Sequence, residues 1–252
     1  VRRRLLIAVL ALAGSGGLLQ AQRAVEFEGR YWMPAARSRV SIKGAGTDIR
    51  FKEDLGLEDA NFPEGRLSYY GRGRSHLHFS YTPIDYAGEA TINRTLVFGG
   101  RQYPAATRVL SEFELQHLQL GWAWQFINVR DGAFKLGPVL AGQGFLFRGR
   151  LRAPDLQPAV DQQEELMGGL PTVGLAMDIN PHRRVNLFAD VSGIKLGKYG
   201  YFVTSDAGVK ILPARVGFFT VGYRNFNLDL KNEPDFARII LRGVFVGAGA
   251  RF

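Results

Sequence analysis

The amino-acid sequence predicts an all-β fold: a closed, antiparallel, up-and-down transmembrane β-barrel of about ten strands, within a range of eight to twelve. Three observations predict it. From residue 24 onward apolar and polar residues alternate with a period of two. The breaker-rich connections fall into a short set and a long set. Past the first segment, no apolar run is long enough for a spanning helix.

That first segment, "VRRRLLIAVLALAGSGGLLQA", has a basic start, an apolar run from Leu5 to Ala13 and then small residues. This is the order of a secretory signal peptide, so residues 1–21 are expected to be a leader cut after Ala21, with the barrel in 22–252. The apolar run is too short for the ~20 residues of a membrane-spanning helix.

The alternation then runs strand by strand. In "VNLFADVSG", Val185, Leu187, Ala189 and Val191 share one face, opposite Asn186, Phe188, Asp190 and Ser192. "YFVTSDAGVKI" and "HLHFSYT" repeat the pattern, the latter setting Leu77, Phe79 and Tyr81 against His76, His78 and Ser80. Strands are expected near 24–33, 64–72, 75–88, 107–127, 133–151, 164–179, 184–195, 199–213, 216–230 and 236–252. Short turns "GRGRS", "NVRDG", "NPHRR" and "LPAR" mark one end. Long loops near 34–63, 89–106 and 152–163 mark the other. A hairpin inside the first loop, "SRVSIKG" and "TDIRF", would raise the count to twelve if it joined the wall. In the fourth strand the apolar face moves from Phe113 and Leu115 to Leu118, Leu120, Trp122 and Trp124, which predicts a bulge near Gln116 and His117. Two aromatic belts are expected: Tyr69, Trp122, Trp124, Phe126, Phe134, Phe219 and Phe252 at the short-turn rim. Tyr31, Tyr81, Tyr86, Phe145, Phe147, Tyr199, Tyr201 and Phe236 would form the other.

Composition excludes several classes. With no cysteine there is no disulfide framework and no thiolate metal site. The net charge of +9 is spread along the chain with no basic stripe, so nucleic acid is not an expected partner. His76, His78, His117 and His182 are too scattered for a metal set, and the glycines of "GQGFLFRG" open no helix, so no metal or other cofactor is expected.

The last run, "VFVGAGARF", sets Val244, Val246, Ala248, Ala250 and Phe252 on one face. With the leader and the strand pattern, it resembles the small outer-membrane β-barrel proteins of Gram-negative bacteria. The resemblance implies outer-membrane residence, long loops facing outward, and contact with outer-membrane lipids and lipopolysaccharide. It further implies a monomer, with Val244, Val246 and Phe252 read by the barrel-assembly machinery as a folding signal. It covers nearly the whole chain after the leader, but it is architectural and assigns no role.

If the apolar row faces lipid, the other row faces the lumen. The expected lumen network is Glu26, Glu28, Arg30, Arg66, His76, Glu112, Glu114, Asp178, Asp190, Asp206, Lys210, Arg224 and Arg242. Both signs occur, so these charges pair across strands, and about ten strands leave little room for a channel. The expected function is a non-catalytic structural or surface role with a polar, mostly packed lumen. The alternative is a narrow pore for small solutes. A second alternative is a barrel-embedded lipid hydrolase using His78 and Ser80, two residues apart on one face. The outer-membrane phospholipase and the lipid A deacylase use such a His-x-Ser pair. Here no orienting acid is set by spacing, Asp85 and Glu89 being nearest.

Overall fold

The structure, a computed structural model, describes residues 24–41, 49–58, 60–71, 74–129, 132–214, 216–232 and 235–252. The leader expected at 1–21 lies outside the described residues. Ten long strands form the wall. They are β1 (Ala24–Ser41), β2 (Phe62–Tyr70), β3 (Ser75–Thr91), β4 (Arg108–Trp124) and β5 (Phe134–Ala153). The rest are β6 (Val160–His182), β7 (Val185–Lys195), β8 (Gly200–Ile211), β9 (Gly217–Asn232) and β10 (Asp235–Arg251). Each is antiparallel to its chain neighbours, and β10 returns to pair with β1 from Glu26↔Arg251 to Ser41↔Phe236. Beyond that ladder, Val25 and Phe252 exchange backbone N–H···O bonds, both 2.9 Å. The sheet has no free edge along this seam, as a bilayer core requires.

The facing of the rows identifies the solvent. On β1, Glu26, Glu28 and Arg30 are 4–6% exposed, whereas Phe27 and Tyr31 on the alternate row are 54% and 48% exposed. Charges turned inward and apolar rings outward are the reverse of a soluble barrel, in which the polar face meets water. The outward band continues through Leu77, Phe79, Leu118, Leu120, Leu140, Val173, Leu175, Val221, Val244 and Val246. Tyr69, Trp122, Trp124, Phe126, Phe219 and Phe252 border it at the short-turn end, and Tyr31, Tyr81 and Tyr199 are exposed toward the other. Phe252 also packs edge-on against Phe27 at 6.5 Å.

The long-loop end departs from the sequence expectation in instructive ways. The first arm of the expected hairpin is the upper end of β1 itself, which runs past the expected loop start at 34 and pairs with β10 as far as Ser41. The second arm is reduced to Ile49–Arg50, which pairs with Arg39–Val40 off the closed wall, so the wall keeps ten strands. The loop continues as one helical turn, Phe51–Leu55, which turns into the barrel mouth. Its Leu55 carbonyl accepts a 3.1 Å hydrogen bond from Ser111 Oγ on β4. A Cβ on Gly88 of β3 would lie 2.5 Å from that same carbonyl, and Gly56 follows with φ +64°. Both glycines are needed for this close approach. The second loop carries the hairpin Leu96–Phe98/Arg101–Tyr103, whose Tyr103 hydroxyl donates to the Leu151 carbonyl at 3.0 Å. The expected third long loop is shorter than 152–163, because β5 runs to Ala153 and β6 begins at Val160.

The expected bulge in β4 does not occur. Its pairing with β3 and β5 is continuous, and odd positions face inward from Val109 to Ala123. Phe113 and Leu115 are therefore lumen residues, and the parity places Glu112 and Glu114 outside, correcting their assignment to the lumen network. Arg242 is likewise on the outer face, its Nε donating to Asn225 Oδ1 at 2.7 Å. Tyr86, Phe145 and Phe147 sit on inward rows instead of in the upper belt, while the side chain of Phe236 lies outside those described.

Glu112 and Glu114 belong to a charged belt just above the apolar band on β3–β6. Arg108 meets Glu89 at 2.6 Å, Arg152 meets Glu112, and Arg148 lies between Glu165 at 3.1 Å and Glu114 at 3.7 Å. Arg150 is bidentate on Asp161 at 2.8 and 2.5 Å. This belt borders the apolar band on its long-loop side. The hydrogen bond from Arg150 holds the Asp161 carboxyl below its ordinary pKa, and that from Arg108 does the same for Glu89.

Two outcomes are expected. Gly88→Val expels the first loop from the mouth, read as new protease cleavage within 49–61 while the barrel keeps its heat-modifiable gel mobility. A depressed carboxylate adds stability above its unfolded pKa and loses it as pH falls through the folded pKa. Hence the melting difference between wild type and Asp161→Asn is present at pH 7, and shrinks as pH drops below about 4.

Candidate functional site: a layered lumen

Inward rows of all ten strands meet in three layers. The lowest, toward the short turns, is ionic. Lys210 Nζ bonds Glu26 Oε2 at 2.6 Å and lies 4.4 Å over the Phe218 ring. Tyr70 donates to the same Glu26 oxygen at 3.3 Å. Asp178 accepts from Gln125, which begins the turn after β4, and from Asn186 of β7 at 3.1 Å. Arg66, His76, Asp178 and Asp190 line a polar cavity of about 60 Å³.

Above it lies a cluster of five buried charges. Arg224 of β9 grips Asp206 of β8 through Nε and Nη2, both at 2.7 Å. Its far edge holds Glu64 of β2, with Nη2 3.0 Å from Oε1 and Nη1 on the other oxygen. Arg30 of β1 bonds Asp206 at 3.1 Å and meets both oxygens of Glu28 at 2.9 and 3.0 Å. Two planar forks between carboxylates pair opposite signs at close range, which offsets the cost of keeping ions away from water, although Arg30 Nε and Glu28 Oε1 form no aligned hydrogen bond. Aromatic faces complete the shell: Arg30 lies 4.5 Å over Phe245 and Arg224 5.4 Å over Trp32.

The third layer is apolar. Phe145, Phe202 and Phe226 meet edge to face at 5.2–6.1 Å between ring centres. His117 stacks on Phe145 at 5.2 Å and bonds Gln143 Oε1 at 2.8 Å. Gln143 in turn donates to Thr172 Oγ1 at 3.2 Å. Trp32, Phe62, Ile84, Leu115 and Leu228 fill the remaining space, and Leu55, Leu57, Leu96 and Tyr103 from the two loops continue this core upward.

Ten of the expected lumen residues therefore face inward: Glu26, Glu28, Arg30, Arg66, His76, Asp178, Asp190, Asp206, Lys210 and Arg224. Glu64 was missed, although it shares the row of Arg66 two residues away and the period of two includes it. The apolar layer was missed for another reason. Phe145 was expected in the upper aromatic belt, and only pairing with neighbours shows that its row is enclosed. His78 and Ser80 point into the lumen, 3% and 2% exposed, away from lipid. The imidazole lies across β4, where a Cβ on Gly121 would collide with it, and its Nε2 meets Gln119 at 3.2 Å. Among the described residues it shares no hydrogen bond with Ser80.

No protein-family model matches this chain, and no curated protein does. Solved structures match its fold. The outer-membrane protease OmpT of Escherichia coli aligns over 91% of this chain and 96% of its own, at 8% identity and a TM-score of 0.50. Ail of Yersinia pestis, solved with the heparin analogue sucrose octasulfate, aligns over 92% and 99% at 11% identity and a TM-score of 0.40. Neisserial surface protein A aligns over 91% and 97% at 13% identity and a TM-score of 0.34. At such identities the likeness speaks of fold alone. The ten-stranded wall has the fold of outer-membrane β-barrel proteins, and the inverted facing of its rows is that of a barrel embedded in a membrane.

Proposed function

We propose that the protein has a non-catalytic, structural or surface role, with a lumen closed to solutes and the long-loop end raised above the membrane as a fixed platform. The single observation that carries this reading is the filling of the lumen above the polar cavity of the lowest layer. An ionic cluster, an aromatic layer and two inward-turned loops follow one another along the axis, and each contributes fully buried side chains. A small barrel filled by its own side chains stabilises its wall, and loops held on such a wall present a constant surface.

A narrow pore is the second reading, favoured by the polar cavity beside Arg66, His76 and Asp190. Hydrolysis of lipid draws no support from His78 and Ser80, since both are enclosed beneath the aromatic layer. Planar-bilayer recording tests the first reading against the second: purified protein is expected to give no unitary current. Steady single-channel steps from the wild type would refute closure. Fatty-acid release that disappears in Ser80→Ala would refute the non-catalytic role.

The ionic cluster also carries a stability prediction. Arg224→Ala leaves Asp206 and Glu64 buried without their shared cation, which costs about 3–5 kcal/mol. Denaturant unfolding in detergent, followed by tryptophan fluorescence, measures it. Arg242→Ala, on the outer face, is expected to change stability by less than about 1 kcal/mol.

A further inference from the structure

One stretch of the wall lacks a neighbour. β6 pairs with β5 throughout its upper half, starting at Val160↔Ala153, but with β7 only from Val173↔Gly193 downward. β7 ends two residues past that pair, at Lys195, and β8 begins at Gly200. Among the described residues, no strand but β5 pairs with 160–172. At ~3.3 Å per residue this is a free edge of about 40 Å. The wall has another low point above β2, which stops at Trp32↔Phe62 while β1 runs on to Ser41. There the first loop lends Ile49–Arg50 to β1. No described segment does the same for β6.

Exposure reports the same opening. Every residue from Glu165 to Gly169 is exposed, where a wall strand alternates, and Leu166 and Met167 are 60% and 81% exposed on opposite faces. A strand with one neighbour turns the N–H and C=O of every second residue away from it, so the edge presents a row of open backbone groups. Gly168 and Gly169 leave room for another backbone to approach, and a Cβ on Gly168 would meet nothing within 4 Å. Pro171, with no N–H, sets the lower limit of the edge. The upper end is acidic: it carries Asp161, Glu164 and Glu165, and 161–170 holds no lysine or arginine. Arg150 and Arg148 reach Asp161 and Glu165 from the β5 side, yet these carboxylate side chains stay 50% and 49% exposed. Lys195, two residues past Gly193, is level with Pro171 and so lies well below the carboxylates.

We infer that this edge takes up an extended, basic segment of another polypeptide by strand addition, in which lysine or arginine meets Asp161 and Glu165 and an apolar side chain covers Met167. Backbone donors and acceptors at strand spacing are matched by an extended chain, and side chains on the added strand then select among chains. A second copy of this protein would set its own carboxylates against these, so the edge favours a chain of opposite sign. The inference deepens the proposed surface role and rests on its raised long-loop end, not on the closed lumen.

Hydrogen–deuterium exchange of the full barrel in detergent micelles tests it. The probe is a synthetic peptide, LFRGRLR, with the sequence of 146–152, which already pairs with 161–167 across the other edge of β6. The controls are LFEGELE and an LFRGRLR peptide N-methylated at every amide. LFRGRLR is expected to slow exchange at least tenfold within 161–170 and nowhere else, and neither control to do so. Met167→Pro, on the same row as Pro171, removes one N–H from the edge and is expected to abolish the protection. Asp161→Asn/Glu165→Gln is expected to weaken LFRGRLR binding about tenfold. Heat-modifiable mobility confirms that each variant is folded, and if Met167→Pro is not, the N-methylated peptide decides. Absence of protection, equal protection by either control, or protection that persists in folded Met167→Pro would overturn the edge. So would protection of 161–170 without peptide that grows with barrel concentration, the sign of a second copy. A conducting wild type in the planar bilayer refutes the closed lumen alone, and absent protection refutes the edge alone.

Discussion

Closure between β1 and β10 is the constraint on which everything else in this molecule depends. Once the tenth strand is hydrogen-bonded to the first, each wall residue has two choices of side and its neighbours decide which. A strand cannot slip by one residue without exchanging its lipid and lumen faces. That is why β4 runs through its whole length without a bulge, although its apolar residues change rows halfway. The wall holds parity and the environment changes instead, from lipid and ions below to an enclosed apolar core and charged exterior above.

The interior shows how ions and rings divide the work of filling a barrel. In the lower half, Arg30 and Arg224 each bridge carboxylates from different strands, tying β1, β2, β8 and β9 across the lumen. Such charges cost free energy to desolvate and repay it only when every partner is present. Their neighbours Trp32 and Phe245 exclude water and offer ring faces to the guanidiniums, so the cluster grades into the aromatic layer. Higher still the strands outrun the membrane. There the inner face becomes an ordinary apolar core roofed by Leu55, Leu57 and Tyr103, and the outer face takes up the ion pairs.

This vertical order gives the two ends different tasks. The short-turn end needs only to close, and it does so with polar side chains and brief connections. The long-loop end is a small domain in its own right, with a core shared between wall and loops. A surface so supported presents one shape, which is what the proposed surface role requires.

Much was legible in the sequence itself, because a period of two is a local property. Facing along β1, β7, β8 and β10 follows from counting, as does the inward placement of Glu26, Arg30, Asp206 and Arg224. Counting cannot say what lies opposite a row. Glu112 and Glu114 alternate as well as any lumen pair, yet they sit above the lipid on the outside, where Arg148 and Arg152 on the next strand receive them. Phe145 has the character of a lipid-facing residue but is enclosed, because the rings of Phe202, Phe226 and His117 arrive from other strands of the wall. The arginine pairings were decided by register around the closed wall, since an ion's partner is fixed by distances across the barrel that no local pattern encodes.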